Sequence, residues 1–142
     1  MNEKFIQNLD KLPADVRRQF VLLANQYGEK KKQKSIQDDF LTFVKHVWPD
    51  FIEGSHHKRI ADKFNKLASG EIKRLIINMP PRHTKSEFGS YLLPAWMVGR
   101  NPKLKIIQST NTTELSVRFG RKAKALIDSV EYQKVFKTKL RE

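Results

Sequence analysis

The sequence contains no cysteine, and this absence excludes disulfide bonds and thiolate metal sites. Acidic residues are also scarce, since 15 Asp and Glu stand against 28 Lys and Arg and leave a formal net charge of +13. No apolar run approaches the roughly 18 residues of a membrane span, and the first residues do not resemble a signal peptide. We therefore expect one intracellular domain that has no contact with a membrane.

The excess of basic residues favours a polyanionic partner, nucleic acid before an acidic membrane. Cations spaced along a helix can contact DNA phosphates, and such binding is non-specific and falls steeply with salt. A solvated helix surface is the alternative for each basic patch. The two patches are Lys63, Lys66, Lys73 and Arg74, and Arg118, Arg121, Lys122 and Lys124.

Apolar side chains at helical spacing predict three helices before residue 70. The first has Pro13 in its first turn, Gly28 is its predicted stop, and Gly70 is the predicted stop of the third. A charged connector rich in lysine separates the first helix from the second. The helices are expected at residues 13–27, 35–48 and 55–68, so residues 1–70 are predicted to form an N-terminal helical segment.

A different pattern begins at Leu75, Ile76 and Ile77, which form a continuous apolar run. Such runs are typical of strands that are buried on both faces of a parallel sheet. We predict strands at 72–79 and 104–109, a helix at 85–98 that Pro94 kinks or shortens, and a helix at 111–128. This order implies a right-handed β-α-β crossover. The predicted fold class is therefore α/β, with a parallel sheet in residues 71–142.

The first predicted strand leads into a basic loop, residues 80–87, which places Lys-Ser at the start of a helix. A phosphate-binding loop directs backbone N–H groups, a helix N-terminus and a lysine ammonium at phosphates, and the adjacent hydroxyl completes a Mg²⁺ shell. Lys85 and Ser86 suit these two roles. The usual pattern, G-x-x-x-x-G-K-[ST], has glycine where this chain has Met79 and Thr84. The residues alone therefore leave an ordinary strand-to-helix loop as an alternative.

The segment RLIINMPPRHTKSE, residues 74–87, resembles the deviant Walker A segment of the large terminase subunit of tailed phages. That family commonly carries Pro-Pro-Arg-His-Gly-Lys-Ser at this place. Softer similarities extend from about Asp39 to Phe136. Thr84 departs from the family's glycine, and its Cβ would crowd a bound phosphate, but we expect the loop to tolerate it.

The resemblance implies a partial P-loop NTPase of the ASCE type, with ATP and Mg²⁺ as cofactors. By position it gives Lys85 and Arg82 catalytic roles at the phosphates, and it makes Ser86 the metal ligand. A structural or DNA-facing role is the alternative for Arg82, and a solvated histidine is the alternative for His57, the predicted adenine contact. The predicted nucleotide-binding residues are Pro81, Arg82, His83, Thr84, Lys85, Ser86, Glu87 and His57.

The same resemblance implies a motor that drives double-stranded phage DNA into a procapsid in the host cytoplasm. Its implied partners are the portal protein and the small terminase subunit, and its implied assembly is a homo-oligomeric ring. After Ser86 we find neither a Walker B strand that ends in an acidic pair nor a cluster of nuclease carboxylates.

We therefore expect the N-terminal portion of the ATPase domain, which cannot hydrolyse ATP efficiently by itself. Two alternatives stay open. One is a non-catalytic, basic nucleic-acid-binding protein, and the other is a fragment of another helicase-like P-loop ATPase.

Overall fold

A computed structural model describes residues 13–138 of the chain. Helices make up 67% of the structure, and none of the described residues belongs to a β-strand. The chain divides into two units, one that ends at Gln33 and one that begins at Lys34. None of the described helices combines the length and apolar character that crossing a bilayer requires.

Helix α1 (Ala14–Asp38) is longer than the sequence predicts. It passes through Gly28, the expected stop, because the following Glu, Lys and Gln residues are strong helix formers and one glycine costs only about 1 kcal/mol. In the first unit most of its apolar side chains are exposed, and Tyr27 is 72% exposed. The predicted separate helices at 13–27 and 35–48 are therefore wrong in their boundaries.

The start of the second helix and the end of the third helix are both well defined. Helix α2 (Phe40–Val47) begins after Asp39, whose carboxylate accepts a hydrogen bond from the Thr42 N–H at 2.7 Å. Helix α3 (Ser55–Ser69) ends at Gly70, where φ is 80°. The predicted third helix and its glycine stop are thus confirmed, because a left-handed residue after the last turn favours glycine.

After the loop, a π-helical segment (Glu87–Leu92) continues into helix α4 (Leu93–Arg100). Its wider turn is visible where the Leu93 N–H bonds to the carbonyl of Phe88, five residues earlier. Pro94 supplies the reason, because proline has no N–H and its ring clashes with the carbonyl four residues before it in a regular α-helix. The wider turn relieves that clash, and the helix continues.

Two further helices complete the second unit. Helix α5 (Thr113–Ile127) begins after Thr112, whose hydroxyl accepts a hydrogen bond from the Leu115 N–H at 3.3 Å. Helix α6 (Val130–Val135) begins in the same way after Ser129. Hydroxyl side chains are favoured at these positions because they satisfy an N–H of the first turn that lacks an intrahelical acceptor.

The predicted α/β fold with a parallel sheet is wrong for the described residues. Residues 72–79 and 104–109 form neither strand nor helix, and Ile76 and Ile107 are 85% and 96% exposed. Leu75, Ile77 and Met79 pack against the core, so one side of the first segment is covered instead of two. A local apolar pattern indicates what a segment prefers to bury, but a strand also needs a neighbour that pairs its N–H and C=O groups.

The core of the second unit is rich in aromatic side chains, and among them the ring of Phe40 is fully buried. This ring meets Phe64, Phe88 and Trp96 edge-on, at centroid distances of 5.1, 5.4 and 5.5 Å. Each such pair contributes about 0.5–1.5 kcal/mol beyond the burial of its area. Because the four rings belong to α2, α3, the π-helical segment and α4, one side chain joins four elements.

Helix α6 is fixed against α4 by Tyr132, whose hydroxyl donates to the Ala95 carbonyl at 2.8 Å. Burial raises the pKa of the Tyr132 phenol, so this donor keeps its proton. The two helices approach closely at Gly99, where an added Cβ would lie 2.6 Å from both the Tyr132 Oη and the Phe136 Cγ. Any larger residue at position 99 would therefore clash with these two side chains.

We expect Gly99→Ala to destabilise the protein by about 1–3 kcal/mol, because the new methyl group overpacks a rigid aromatic contact. Gly120→Ala is the matched control, since no atom lies within 4 Å of its added Cβ and helix propensity improves at both sites. The free energy of unfolding from denaturant titration measures the difference. Equal stability changes in the two variants would contradict the close approach.

Candidate phosphate-binding site

The loop between the first extended apolar run and the π-helical segment lines an open pocket with a volume of about 320 Å³. Lys85 and Ser86 are both exposed at this surface. The structure therefore brings together every loop residue that the sequence predicts as nucleotide-binding. The surface is lined by Pro80, Pro81, Arg82, His83, Thr84, Lys85, Ser86 and Glu87.

The loop backbone has an uncommon conformation. Arg82 and Thr84 have φ angles of 65° and 56°, while the intervening His83 and the following Lys85 do not share this positive sign. Where left-handed residues alternate with right-handed ones, successive N–H groups point into one concavity, an anion-binding nest, and the alternating sign of φ indicates such a nest here. Positive φ in a residue other than glycine costs roughly 1–3 kcal/mol and persists only where surrounding contacts impose it.

The helical backbone begins at Lys85, immediately after the nest. N–H groups of a first helical turn have no intrahelical acceptor, and the helix dipole adds positive potential there. The Lys85 ammonium donates to the Met79 carbonyl at 3.4 Å, a long hydrogen bond that holds it weakly. The nest, the helix start and this cation therefore converge at one place.

Ser86 offers the one hydroxyl at the helix start that the sequence predicts as a Mg²⁺ ligand. Among residues 13–138, no group of three or more His, Cys, Asp or Glu side chains could hold a metal ion. Mg²⁺ usually keeps several waters and binds through one or two protein groups plus phosphate oxygens. The exposed Ser86 hydroxyl fits that mode of binding, in which the protein supplies few of the ligands.

His57 is buried, with 6% of its surface exposed, so the alternative of a solvated histidine is wrong. Its Nδ1 accepts a hydrogen bond from the Gly54 N–H at 2.9 Å, and its Nε2 lies 2.6 Å from the Thr84 Oγ1. The rings of Phe51 and Phe88 lie at centroid distances of 4.8 and 5.1 Å. Its adenine contact stays a prediction, and the structure shows a direct bond to the loop.

Glu87 is held by a cation from another helix. The Lys122 ammonium donates to both carboxylate oxygens at 2.9 Å, and it lies 5.3 Å from the centroid of the Tyr91 ring. This pair joins the end of the loop to α5, and the Glu87 carboxylate is engaged within the protein. His83 makes a local contact instead, since its Nδ1 lies 2.9 Å from the Pro81 carbonyl.

Sequence reasoning missed two contacts near the loop, that of Gly54 with His57 and that of Lys122 with Glu87. Gly54 and His57 stand three residues apart at the start of α3, and they form the half of a capping box in which the side chain of the later residue accepts from the N–H of the earlier one. That spacing was a usable signal. Lys122 lies 35 residues from Glu87 along the chain, and no local pattern indicates their contact.

The two basic patches differ in their surroundings. On α5, Arg118, Arg121 and Lys124 are exposed. Near the end of α3, Lys63 and Lys66 lie 3.7 and 3.9 Å from the Asp62 carboxylate. Exposed ion pairs of this kind are weak, but they place negative charge inside the patch. Helix α5 is therefore the better candidate for a polyanion contact.

Comparison of the chain with protein-family models, with curated proteins and with solved structures finds no match. The interpretation of this surface therefore depends on the loop residues and on their geometry.

Proposed function

We propose that residues 80–87 bind the phosphate groups of a nucleoside triphosphate, taken to be ATP, together with Mg²⁺. The observation that carries the proposal is the alternation of φ from Arg82 to Lys85, directly before a helix begins. A nest of N–H groups and a helix N-terminus both favour bound anions. Neither device requires a β-sheet, so the proposal does not depend on the predicted fold class.

Three side chains have distinct roles in the proposed site. The Lys85 ammonium neutralises charge on the β- and γ-phosphates, and the Ser86 hydroxyl completes the shell of the Mg²⁺ ion. The Arg82 guanidinium, which is exposed, stabilises charge on the γ-phosphate in this proposal. Pro80 and Pro81 have no N–H, so backbone contacts to phosphate come from Arg82 onward.

We further infer that the chain is the ATP-binding N-terminal part of a large terminase, the motor that packages double-stranded DNA into a phage procapsid. The similarity of residues 74–87 to the family's Walker A segment supports this step. It implies a homo-oligomeric ring that contacts the portal protein and the small subunit, in the host cytoplasm and transiently at the procapsid portal. For the chain by itself, the proposal is ATP binding without efficient turnover.

The decisive test is the affinity of the full chain for Mg²⁺·ATP, measured by titration calorimetry. Lys85→Ala should weaken binding by at least about tenfold, because hydrogen bonds to charged groups contribute about 1.5–3 kcal/mol. Lys103→Ala, which removes an exposed lysine outside the loop, should leave the affinity unchanged. No binding by the parental chain, or equal affinity of the two variants, would refute the proposal.

A second candidate function is non-specific binding of double-stranded DNA. The observation in its favour is the row of exposed cations on α5, Arg118, Arg121 and Lys124, in a chain of net charge +13. Phosphate contacts release counterions, so each contact steepens the fall of affinity with salt. This binding does not require the loop, and it can exist with or without nucleotide binding.

The double variant Arg118→Gln/Arg121→Gln should weaken binding of a duplex of arbitrary sequence. It should also reduce the slope of log affinity against log salt by about 1 for each phosphate contact that is lost. Fluorescence anisotropy at several salt concentrations gives that slope, with Lys85→Ala as the control. A slope that the double variant does not alter excludes α5 as the DNA contact.

A further inference from the structure

We propose that His57 is a positioning residue that holds Thr84 in the left-handed conformation and thereby shapes the phosphate-binding loop. The inference rests on the proposed function of that loop. Its basis is a continuous series of hydrogen bonds from the start of α3 to the loop backbone. It explains how a loop with threonine in the glycine position adopts the nest conformation.

The direction of each hydrogen bond follows from its partners. The Gly54 N–H can only donate, so the Nδ1 of His57 carries a lone pair. The neutral ring then has its proton on Nε2, which donates to the Thr84 Oγ1 at 2.6 Å. The Thr84 hydroxyl is left to donate to the His83 carbonyl at 2.7 Å. Every proton in the series is therefore assigned.

His57 is itself held rigidly, which lets it impose a conformation on its partner. It stands in the first turn of α3, and its ring is covered by Phe51 and by Phe88, which also packs on Phe40. Glycine adopts a left-handed φ at no steric cost, whereas threonine pays a steric cost for the same conformation because it has a Cβ. The bond to Oγ1 supplies the external constraint that Thr84 needs.

The groups that face His57 favour its neutral form. Burial lowers the pKa of His57, and the neighbouring imidazoles of His56 and His83 lower it further, while Glu53 opposes them. Protonation would also place a second N–H against the Gly54 N–H and would break that bond. The charged ring is thus incompatible with the arrangement that orients Thr84.

A double-mutant cycle with His57→Phe and Thr84→Gly tests the proposal. The probe is the Phe88 amide, which bonds to the Thr84 carbonyl at 2.9 Å, and the Trp96 amide serves as a core reference. We expect His57→Phe to raise the hydrogen-exchange rate of the Phe88 amide, relative to that of Trp96, by about three- to tenfold. This factor corresponds to the usual contribution of one hydrogen bond to stability. In the Thr84→Gly background, the same change should have less than about a twofold effect, because glycine needs no support.

Equal factors in the two backgrounds would overturn the proposal, since His57 would then act through packing alone. A parallel loss of protection at Trp96 would do the same, because it would indicate a general loss of stability. His46→Phe is the matched control: His46 bonds to the Glu131 carbonyl at 3.1 Å, and its replacement should leave the Phe88-to-Trp96 ratio unchanged.

Titration of Mg²⁺·ATP into the same four proteins separates this proposal from the proposed function. We expect His57→Phe to weaken ATP binding about tenfold in the parental background and by less than about twofold with Thr84→Gly. If the parental chain binds no ATP, the proposed function fails, and the exchange ratios still decide whether His57 positions Thr84.

The arrangement also predicts the direction of a pH effect. Because the pKa of His57 is below its ordinary value in the folded protein, its contribution to stability is fully present above the unfolded pKa of about 6.5. That contribution is lost as the pH falls through the folded value. Two-dimensional ¹⁵N spectra of the imidazole should show a proton on Nε2 at neutral pH and a lowered midpoint. A proton on Nδ1 at neutral pH contradicts the proposed bond directions.

Discussion

The contact between Phe40 and Phe88 is the constraint on which the second unit depends. Phe40 brings α2, α3 and α4 together, and Phe88 anchors the π-helical segment to the same cluster. The loop ends one residue before Phe88, whose N–H bonds to the carbonyl of Thr84. The position of the proposed phosphate-binding loop therefore depends on an apolar contact behind it, between two rings that are both fully buried.

The helices of the second unit were largely predictable because their signals are local. The third predicted helix and its stop at Gly70 are confirmed, since periodicity and a left-handed end are properties of short segments. Helix α1 was predicted too short, because Gly28 was given more weight than the strong helix formers that follow it. The sheet was wrong for another reason: the apolar run at Leu75–Ile77 contains no information about a pairing partner.

The site shows the same division between local and distant information. The position of the loop and the placement of Lys85 and Ser86 at a helix start follow from neighbouring residues, and the structure agrees on both. The left-handed φ of Thr84 could not be predicted, because it is opposed by residue type and depends on a contact 27 residues away. The sequence predicts that the loop tolerates threonine in place of glycine, and the hydrogen bond from His57 to Thr84 offers a physical reason for that tolerance.

The exposed isoleucines at positions 76 and 107 have a consequence for the colloidal behaviour of the chain. Each belongs to a segment without regular secondary structure. Its apolar side chain therefore lies next to backbone N–H and C=O groups that are not paired in a β-sheet among the described residues. At low ionic strength the charge of +13 keeps copies of the chain apart. Added salt reduces the range of that repulsion to about 10 Å at 0.1 M. Self-association through these segments is then opposed less strongly by charge.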